Sequence, residues 1–305
     1  MNYQWYPGHM TKAKRMMQEN IRLIDLVIEL VDARIPLSSR NPDIDELGKN
    51  KARMILLNKS DLADSRWNKK WITYFTEKGF HVLEINSKTG AGIKAIQGAV
   101  QSACKEKIER DKKRGIMNRP VRAMVVGIPN VGKSTFINSF AGKACTKTGN
   151  KPGVTKGKQW IRLNKSLELL DTPGILWPKF DDQNVGMKLA MIGSMNDEIL
   201  HMDELAVKLI EFLSEYYPDV LSERYQTEKN CRTENVCLVT ADDSVTDTEK
   251  AYELLQKICI SRRCFKKGEI PDADKAAAMI MDDFRSGRLG KITLEFPEGM
   301  KEKDE

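Results

Sequence analysis

The chain has 305 residues and a mass of 34.7 kDa, enough for one large or two ordinary domains. At 41% hydrophobic and 30% charged residues it is not the composition of a disordered protein, and no apolar run approaches the roughly 20 residues that a membrane-spanning helix needs. The net charge of +7 is modest but clustered, in "TKAKRMM", "CKEKIERDKKRGIMNRPVR", "GKACTKTGNKPGVTKGK" and "SRRCFKKG". A solvated helix face or linker accounts for the basic run at 105–114, yet several such clusters on one chain raise the expectation of a polyanionic partner such as RNA.

The opening "MNYQWYPGHMTKAKRMM" lacks the apolar core of a secretory signal, so a cytoplasmic location is expected. Short, strongly apolar runs follow at 25–33, 53–59, 81–86 and 122–127, as in strands buried within a parallel sheet. Helical stretches at 66–78 and 93–110 lie between them. "KQWIRLN" and "SLELLD" are close enough to form a hairpin. Beyond residue 178 helical spacing takes over, in "GMKLAMIGS", "DELAVKLIEFLSEYY", "TEKAYELLQKICISRRC" and "DADKAAAMIMDDFRSG". One more strand-like run, "KITLEF", comes near the end, and the polar stretch 226–247 reads as a loop or local insertion. The expected fold class is α/β: a mostly parallel sheet with flanking helices over 1–178, then a smaller, mainly helical domain over 179–305 with a short charged tail. Of the six cysteines, Cys231 and Cys237, like Cys259 and Cys264, are spaced too widely for CxxC. No His pair completes a zinc site, so reduced thiols are expected.

Chemistry is concentrated at the strand ends. "GIPNVGKS" (127–134) follows an apolar strand and opens a helix, the context a phosphate-binding loop requires. Backbone N–H groups from Asn130 to Ser134 can cradle phosphates, Lys133 can reach the terminal ones, and Ser134 can ligate magnesium. "DTPGI" (171–175) offers a carboxylate near that metal and a glycine N–H that can sense the γ-phosphate. Between the two, Thr155 in "PGVT" can meet the magnesium ion from a loop. "NKSD" (58–61) suits guanine: Asp61 can accept from N1–H and the 2-amino group, the Lys59 stem can cover the base, and Asn58 can brace the loop. "EINSKTGAG" (84–92) resembles the loop that supplies backbone contacts to the guanine oxygen. Alone, NKSD would serve as a strand end with a helix cap, and PGVT as a turn. Five motifs in mutually consistent places make a GTPase whose order is rotated, with the base-reading loops ahead of the phosphate loop.

That order and wording resemble the circularly permuted GTPases, in particular the ribosome biogenesis GTPase A (YlqF/RbgA) family. The resemblance runs on through "WYPGHMTKA", "LVDARIPLSSRNP", "GMKLAMIGS" and "DFRSGRLGKITLE" and covers nearly the whole chain; the Cys-containing stretch 227–246 departs from it. It implies a permuted P-loop GTPase that needs Mg2+, hydrolyses GTP, and acts as an assembly factor for the large ribosomal subunit, binding ribosomal RNA through its helical C-terminal domain. A monomer with no membrane contact is expected. Carried over residue by residue, the resemblance assigns GTP binding to Asn58, Lys59, Ser60, Asp61, Asn86, Ser87, Asn130, Val131, Gly132, Lys133, Ser134, Thr135, Thr155 and Gly174. It assigns magnesium to Ser134, Thr155 and, through water, Asp171.

Many signalling GTPases follow the DxxG glycine with a water-orienting glutamine. Here that position is Ile175, so unassisted hydrolysis should be slow. Two groups could help the catalytic Lys133: His9, in "YPGHM", and Asn130, which resembles the asparagine through which potassium-dependent GTPases hold K+. His81 and His201 stand in no motif and read as structural. The second switch, from Asp171 to about Pro178, runs directly into the C-terminal half, where Arg262, Arg263, Lys266, Lys267, Arg285, Arg288 and Lys291 are expected to contact RNA phosphates. A protein- or membrane-recruiting switch that never touches RNA is the main rival, separable by salt-dependent RNA binding. A P-loop metabolic kinase is disfavoured by NKSD and by the lack of a recognisable acceptor site.

Overall fold

Every residue of strand β1 (Leu26–Asp32) is buried, as its Leu, Val and Ile side chains demand: each one withdrawn from water stabilises by about 1.5–3 kcal/mol. The computed structural model describes residues 8–116, 119–146, 159–178, 180, 182–226 and 246–297. Beside β1 lie β2 (Ala52–Asn58), β3 (His81–Glu84), β4 (Val121–Gly127), β5 (Gln159–Arg162) and β6 (Leu167–Asp171), in the spatial order β3-β2-β1-β4-β6-β5. Neighbours run parallel except in the β5–β6 hairpin. The expected strands and hairpin are present and differ only at their ends.

Register aligns the carboxyl ends of the parallel strands. Asp32 lies beside Asn58, Leu57 beside Glu84, Leu30 beside Gly127, and Val125 beside Asp171. In open α/β sheets ligands sit at that edge, where successive connections part to opposite sides. Here the parting lies between β1, which leads on to β2, and β4, which leads towards β6.

Helices α1 (Gly8–Asn20), α2 (Pro42–Leu47), α3 (Ser65–Glu77), α4 (Ile96–Ala103), α5 (Lys105–Lys113) and α6 (Lys133–Ala141) accompany the sheet. Their starts have local causes: Asn41 accepts from the Asp43 N–H at 3.0 Å ahead of Pro42, and Asp64 accepts from the Arg66 N–H at 2.9 Å. The single helix expected over 93–110 is instead a 3-10 turn (Ile93–Ala95), then α4, then α5. The break falls at buried Cys104, whose backbone leaves helical geometry (φ −103°, ψ 14°). In the basic run Lys107 pairs with Asp25 (3.1 Å) and Asp111 (3.2 Å), so this part of it anchors α5 to the start of β1.

The second half is helical: α7 (Gln183–Met191), α8 (Met202–Tyr216), α9 (Pro218–Tyr225), α10 (Asp247–Ser261) and α11 (Ala273–Ser286). A reciprocal Thr246–Glu249 capping box opens α10, and α8 packs against both α10 and α11. The run at 291–296, strand-like in pattern, joins no strand. It is an extended strap returning across the first half, with Ile292 N–H donating to Leu62 O (3.0 Å) and Leu294 N–H to Arg34 O (2.8 Å). The buried apolar core is continuous from the sheet through Ile175, Leu176 and Phe180 to Leu189, Leu205 and Leu209. A second cluster, with Trp67, Trp71 and Phe75 of α3, fills the space beside β1 and β2. Cys104, Cys259 and Cys264 are buried free thiols. No helix among the described residues is long and apolar enough to cross a membrane. The expected insertion lies, from 227 to 245, outside the described residues.

Candidate nucleotide site

The turn from β4 into α6 wraps the Lys133 side chain back on itself. Its Nζ donates to Gly127 O (3.0 Å) and Ile128 O (2.8 Å). Burial pushes its pKa down to about 8, against the pull of Asp171. A buried ammonium held chiefly by carbonyls is short of negative charge, the electrostatic setting that phosphates relieve. At the end of β6, Asp171 is fully buried, and neither carboxylate oxygen makes a hydrogen bond among the described residues. Burial pushes its pKa up to about 6, with Lys133 opposing. Orphaned buried oxygens of this kind fit a hard cation such as magnesium.

The segment after Asp171 lies on the phosphate loop. Thr172 Oγ1 donates to Val125 O (2.7 Å) and Ile175 N–H to Gly127 O (3.3 Å). A Cβ on Gly174 would stand 2.8 Å from Lys133 Nζ and 2.9 Å from backbone atoms of Pro129, so only glycine permits this approach. Ile175 is buried, its carbonyl accepting from Asn41 Nδ2 at 3.5 Å.

On the base side, Asn58 joins three loops. Its Nδ2 donates to Val131 O (2.7 Å), while its Oδ1 accepts from Ser87 N–H (3.0 Å) and Ser87 Oγ (2.8 Å). Ser60 N–H donates to Ile85 O (3.2 Å). Asn86 shapes the neighbouring loop by accepting from Lys88 N–H (2.8 Å) and Thr89 N–H (3.0 Å). Asp61 is exposed at the loop tip, where a carboxylate can meet a base edge. Lys59 has positive φ (59°), and its Nζ pairs at 2.9 Å with Asp32. Burial holds the Lys59 pKa below its ordinary value, against Asp32. Asp32 is fully buried and also paired with Arg34 at 2.8 Å. Burial alone would raise its pKa, but Arg34 and then Lys59 keep it well below the carboxylate range.

Asp32 and Arg34 lie within "LVDARIPLSSRNP", which carries the resemblance but assigns them no site role. Their signal was positional: "DAR" closes the strand between the guanine-loop strand and the phosphate-loop strand, at the ligand edge. Asn130 adopts positive φ (57°), and its Nδ2 donates to Gly193 O at 2.8 Å. Ser194 Oγ donates to Pro129 O at 2.9 Å. Thr155 and the His9 side chain lie outside the described residues. The start of α1 is held beside the second switch by buried Met10, whose Sδ accepts from the Leu176 N–H at 3.4 Å. His81 and His201 are exposed.

Four of the residues expected to contact RNA are engaged within the protein, Arg262 among them, donating to the Arg224 carbonyl. The Arg285 guanidinium is spent internally, donating to Met191 O (2.9 Å) and Ala190 O (2.8 Å) and pairing with Asp197 at 2.7 Å. Arg288 is paired with Asp282 and Asp283, and Lys266 with Asp274 at 3.4 Å. Arg263, Lys267 and Lys291 are exposed, with no ion pair among the described residues.

A phosphate loop, an acidic strand end with its glycine, and a base-reading loop placed ahead of them in the chain define a circularly permuted P-loop GTPase, a GTP hydrolase. A family model described as "50S ribosome-binding GTPase" matches residues 122–234. The chain is 47% identical over 305 residues to the ribosome biogenesis GTPase A of Bacillus cereus, covering 100% of this chain and 97% of that one. It is 29% identical over 294 residues to that of Thermotoga maritima, covering 96% and 94%. Among solved structures, GNP-bound YlqF from T. maritima matches with a TM-score of 0.62 at 26% identity, covering 95% of this chain and 100% of that one. The chain belongs to the ribosome biogenesis GTPase A (YlqF/RbgA) family.

Proposed function

We propose that this GTPase of ribosome biogenesis is a cytoplasmic, monomeric maturation factor of the large subunit, using the state of its nucleotide to set how tightly it holds ribosomal RNA. The observation that carries the guanine-nucleotide part of this reading is the Asn58 side chain, which ties the guanine loop to Val131 of the phosphate loop and to Ser87. Motifs in inverted chain order thereby form one site. In it Asp61 selects guanine, the Lys59 stem lies along the base, and the backbone at Ser60, Asn86 and Ser87 borders it. Backbone N–H groups from Asn130 to Thr135 hold the phosphates. Lys133 leaves its carbonyl partners for the terminal phosphates, and Gly174 senses the last of them. Ser134, Thr155 and, through water, Asp171 would hold a magnesium ion, which would supply positive charge to the phosphate oxygens.

Ile175 cannot orient water, so the hydrolytic groups come from elsewhere. His9 is one, since α1 is packed against the second switch through Met10. Asn130 is the other: with Nδ2 committed to Gly193 O, its Oδ1 remains for a K+ ion. We assign residues 1–178 to the GTPase domain and 179–305 to RNA and ribosome binding. The exposed Arg263, Lys267 and Lys291 are the phosphate contacts. Fluorescent-nucleotide titration tests the base assignment: GTP and GDP should bind far more tightly than ATP, and Asp61→Asn should shift preference towards xanthine nucleotides. Equal affinity for ATP and GTP would remove the guanine reading.

A further inference from the structure

The helical half grips the site from two sides. On the phosphate side, the turn after α7 provides Gly193 O to Asn130 Nδ2 (2.8 Å) and Ser194 Oγ to Pro129 O (2.9 Å). That turn is itself pinned, because Arg285 of α11 donates to Ala190 O and Met191 O at the end of α7. On the base side, Leu62 directly follows Asp61 and seats a methyl against Gly287, where a Cβ would stand only 2.6 Å away. The strap then pairs beneath it, Ile292 N–H with Leu62 O (3.0 Å) and Asp64 N–H with Thr293 Oγ1 (3.1 Å). A third tie runs through the Asp32–Arg34 pair, since Arg34 Nη1 donates to the Arg285 carbonyl at 3.4 Å. Arg285 therefore serves both grips: its side chain holds the phosphate-side turn and its carbonyl the base side.

We infer that the C-terminal half is a built-in retainer of the bound nucleotide, with Ser194 positioning the phosphate loop and the Leu62–Gly287 seat positioning the guanine loop. A partner that draws α7 and α11 from the sheet loosens both loops at once and releases the nucleotide. The phosphate loop and the guanine loop each have their own contact, so the two can be loosened separately. This rests on the guanine-nucleotide reading above, and the test separates the two.

Dissociation rates of fluorescent GDP and IDP are measured by stopped-flow chase on the full chain and on Ser194→Ala, Leu62→Ala and Leu62→Met, each checked by its melting temperature. IDP lacks the 2-amino group and so forfeits one of the two Asp61 bonds. Ser194→Ala, which loses one hydrogen bond, should release GDP and IDP alike about five- to tenfold faster. Leu62→Ala should release GDP about tenfold faster and shrink the GDP-over-IDP preference by about threefold, while Leu62→Met, which refills the seat, stays close to wild type. General destabilisation would lower melting temperature without moving the GDP/IDP ratio. If the wild type prefers GDP and both alanine variants keep wild-type rates and ratio, the retainer is overturned. If Leu62→Ala does not fold, Ser194→Ala alone decides, wild-type release again overturning the inference. If the wild type shows no preference for GDP, the guanine reading itself fails and the base-side grip fails with it.

Discussion

Replacing Asn58 by alanine should weaken both the fold and the nucleotide site. The substitution removes one donor and one acceptor and strands two buried backbone groups, the Val131 carbonyl and the Ser87 N–H. The Ser87 hydroxyl can rotate to another partner, so it adds little. Each stranded group costs about 1–3 kcal/mol, giving about 2–6 kcal/mol in all. For a chain of this size that lowers the melting temperature by about 3–10 °C. Once the phosphate loop and the guanine loop are no longer tied, GDP affinity should fall by about thirtyfold or more, equivalent to about 2 kcal/mol. Thermal unfolding with and without GDP, together with a fluorescent-GDP titration, reads both. Asn58→Asp is the informative companion. It keeps the bonds from Ser87 but turns an acceptor towards the Val131 carbonyl, so it too should lose affinity. An Asn58→Ala protein that melts within about 1 °C of wild type and binds GDP within about threefold would refute the role given to this side chain.

His9→Ala should lower the partner-stimulated GTPase rate while leaving GTP affinity nearly unchanged, whereas Lys133→Ala should impair binding too; normal stimulated hydrolysis by His9→Ala would leave the chemistry to K+ or a partner group. Reversing the charges of Arg263, Lys267 and Lys291 should weaken co-sedimentation with large subunits and flatten its salt dependence, while unstimulated hydrolysis persists. Unchanged sedimentation at two salt concentrations would remove these residues from the interface.

The sheet was legible because its central strands are mainly apolar runs, and because the motifs that end the strands carry distinctive glycines and amides. The base-reading loops, the phosphate loop and the Asp171 segment lie along one edge of the sheet; the PGVT segment falls outside the described residues. Sequence pattern failed where tertiary contacts override it. "KITLEF" alternates like a strand, yet its backbone-to-backbone hydrogen bonds go singly to Leu62 and Arg34 in loops, so no ladder forms. The helix expected through 93–110 breaks at Cys104 with no glycine or proline to announce it, where the thiol is buried and nearby Lys107 is drawn to Asp25. Charge counting could not reveal that Arg285 is spent on the end of α7. Nor could it find Glu295, a buried carboxylate that accepts from the Leu37 N–H at 2.8 Å across most of the chain's length. Such pairings depend on which segments meet in space.

The most direct measurement is the hydrolysis rate of the full chain with GTP and with ATP, each in the presence and absence of purified large ribosomal subunits. A permuted guanine-selective GTPase whose own switch lacks a water-orienting side chain should turn over GTP slowly alone. With subunits it should accelerate by about tenfold or more, as partner-assisted GTPases do, and ATP should remain inert in both conditions. Equal hydrolysis of ATP, or a GTP rate indifferent to the subunits, would contradict the account.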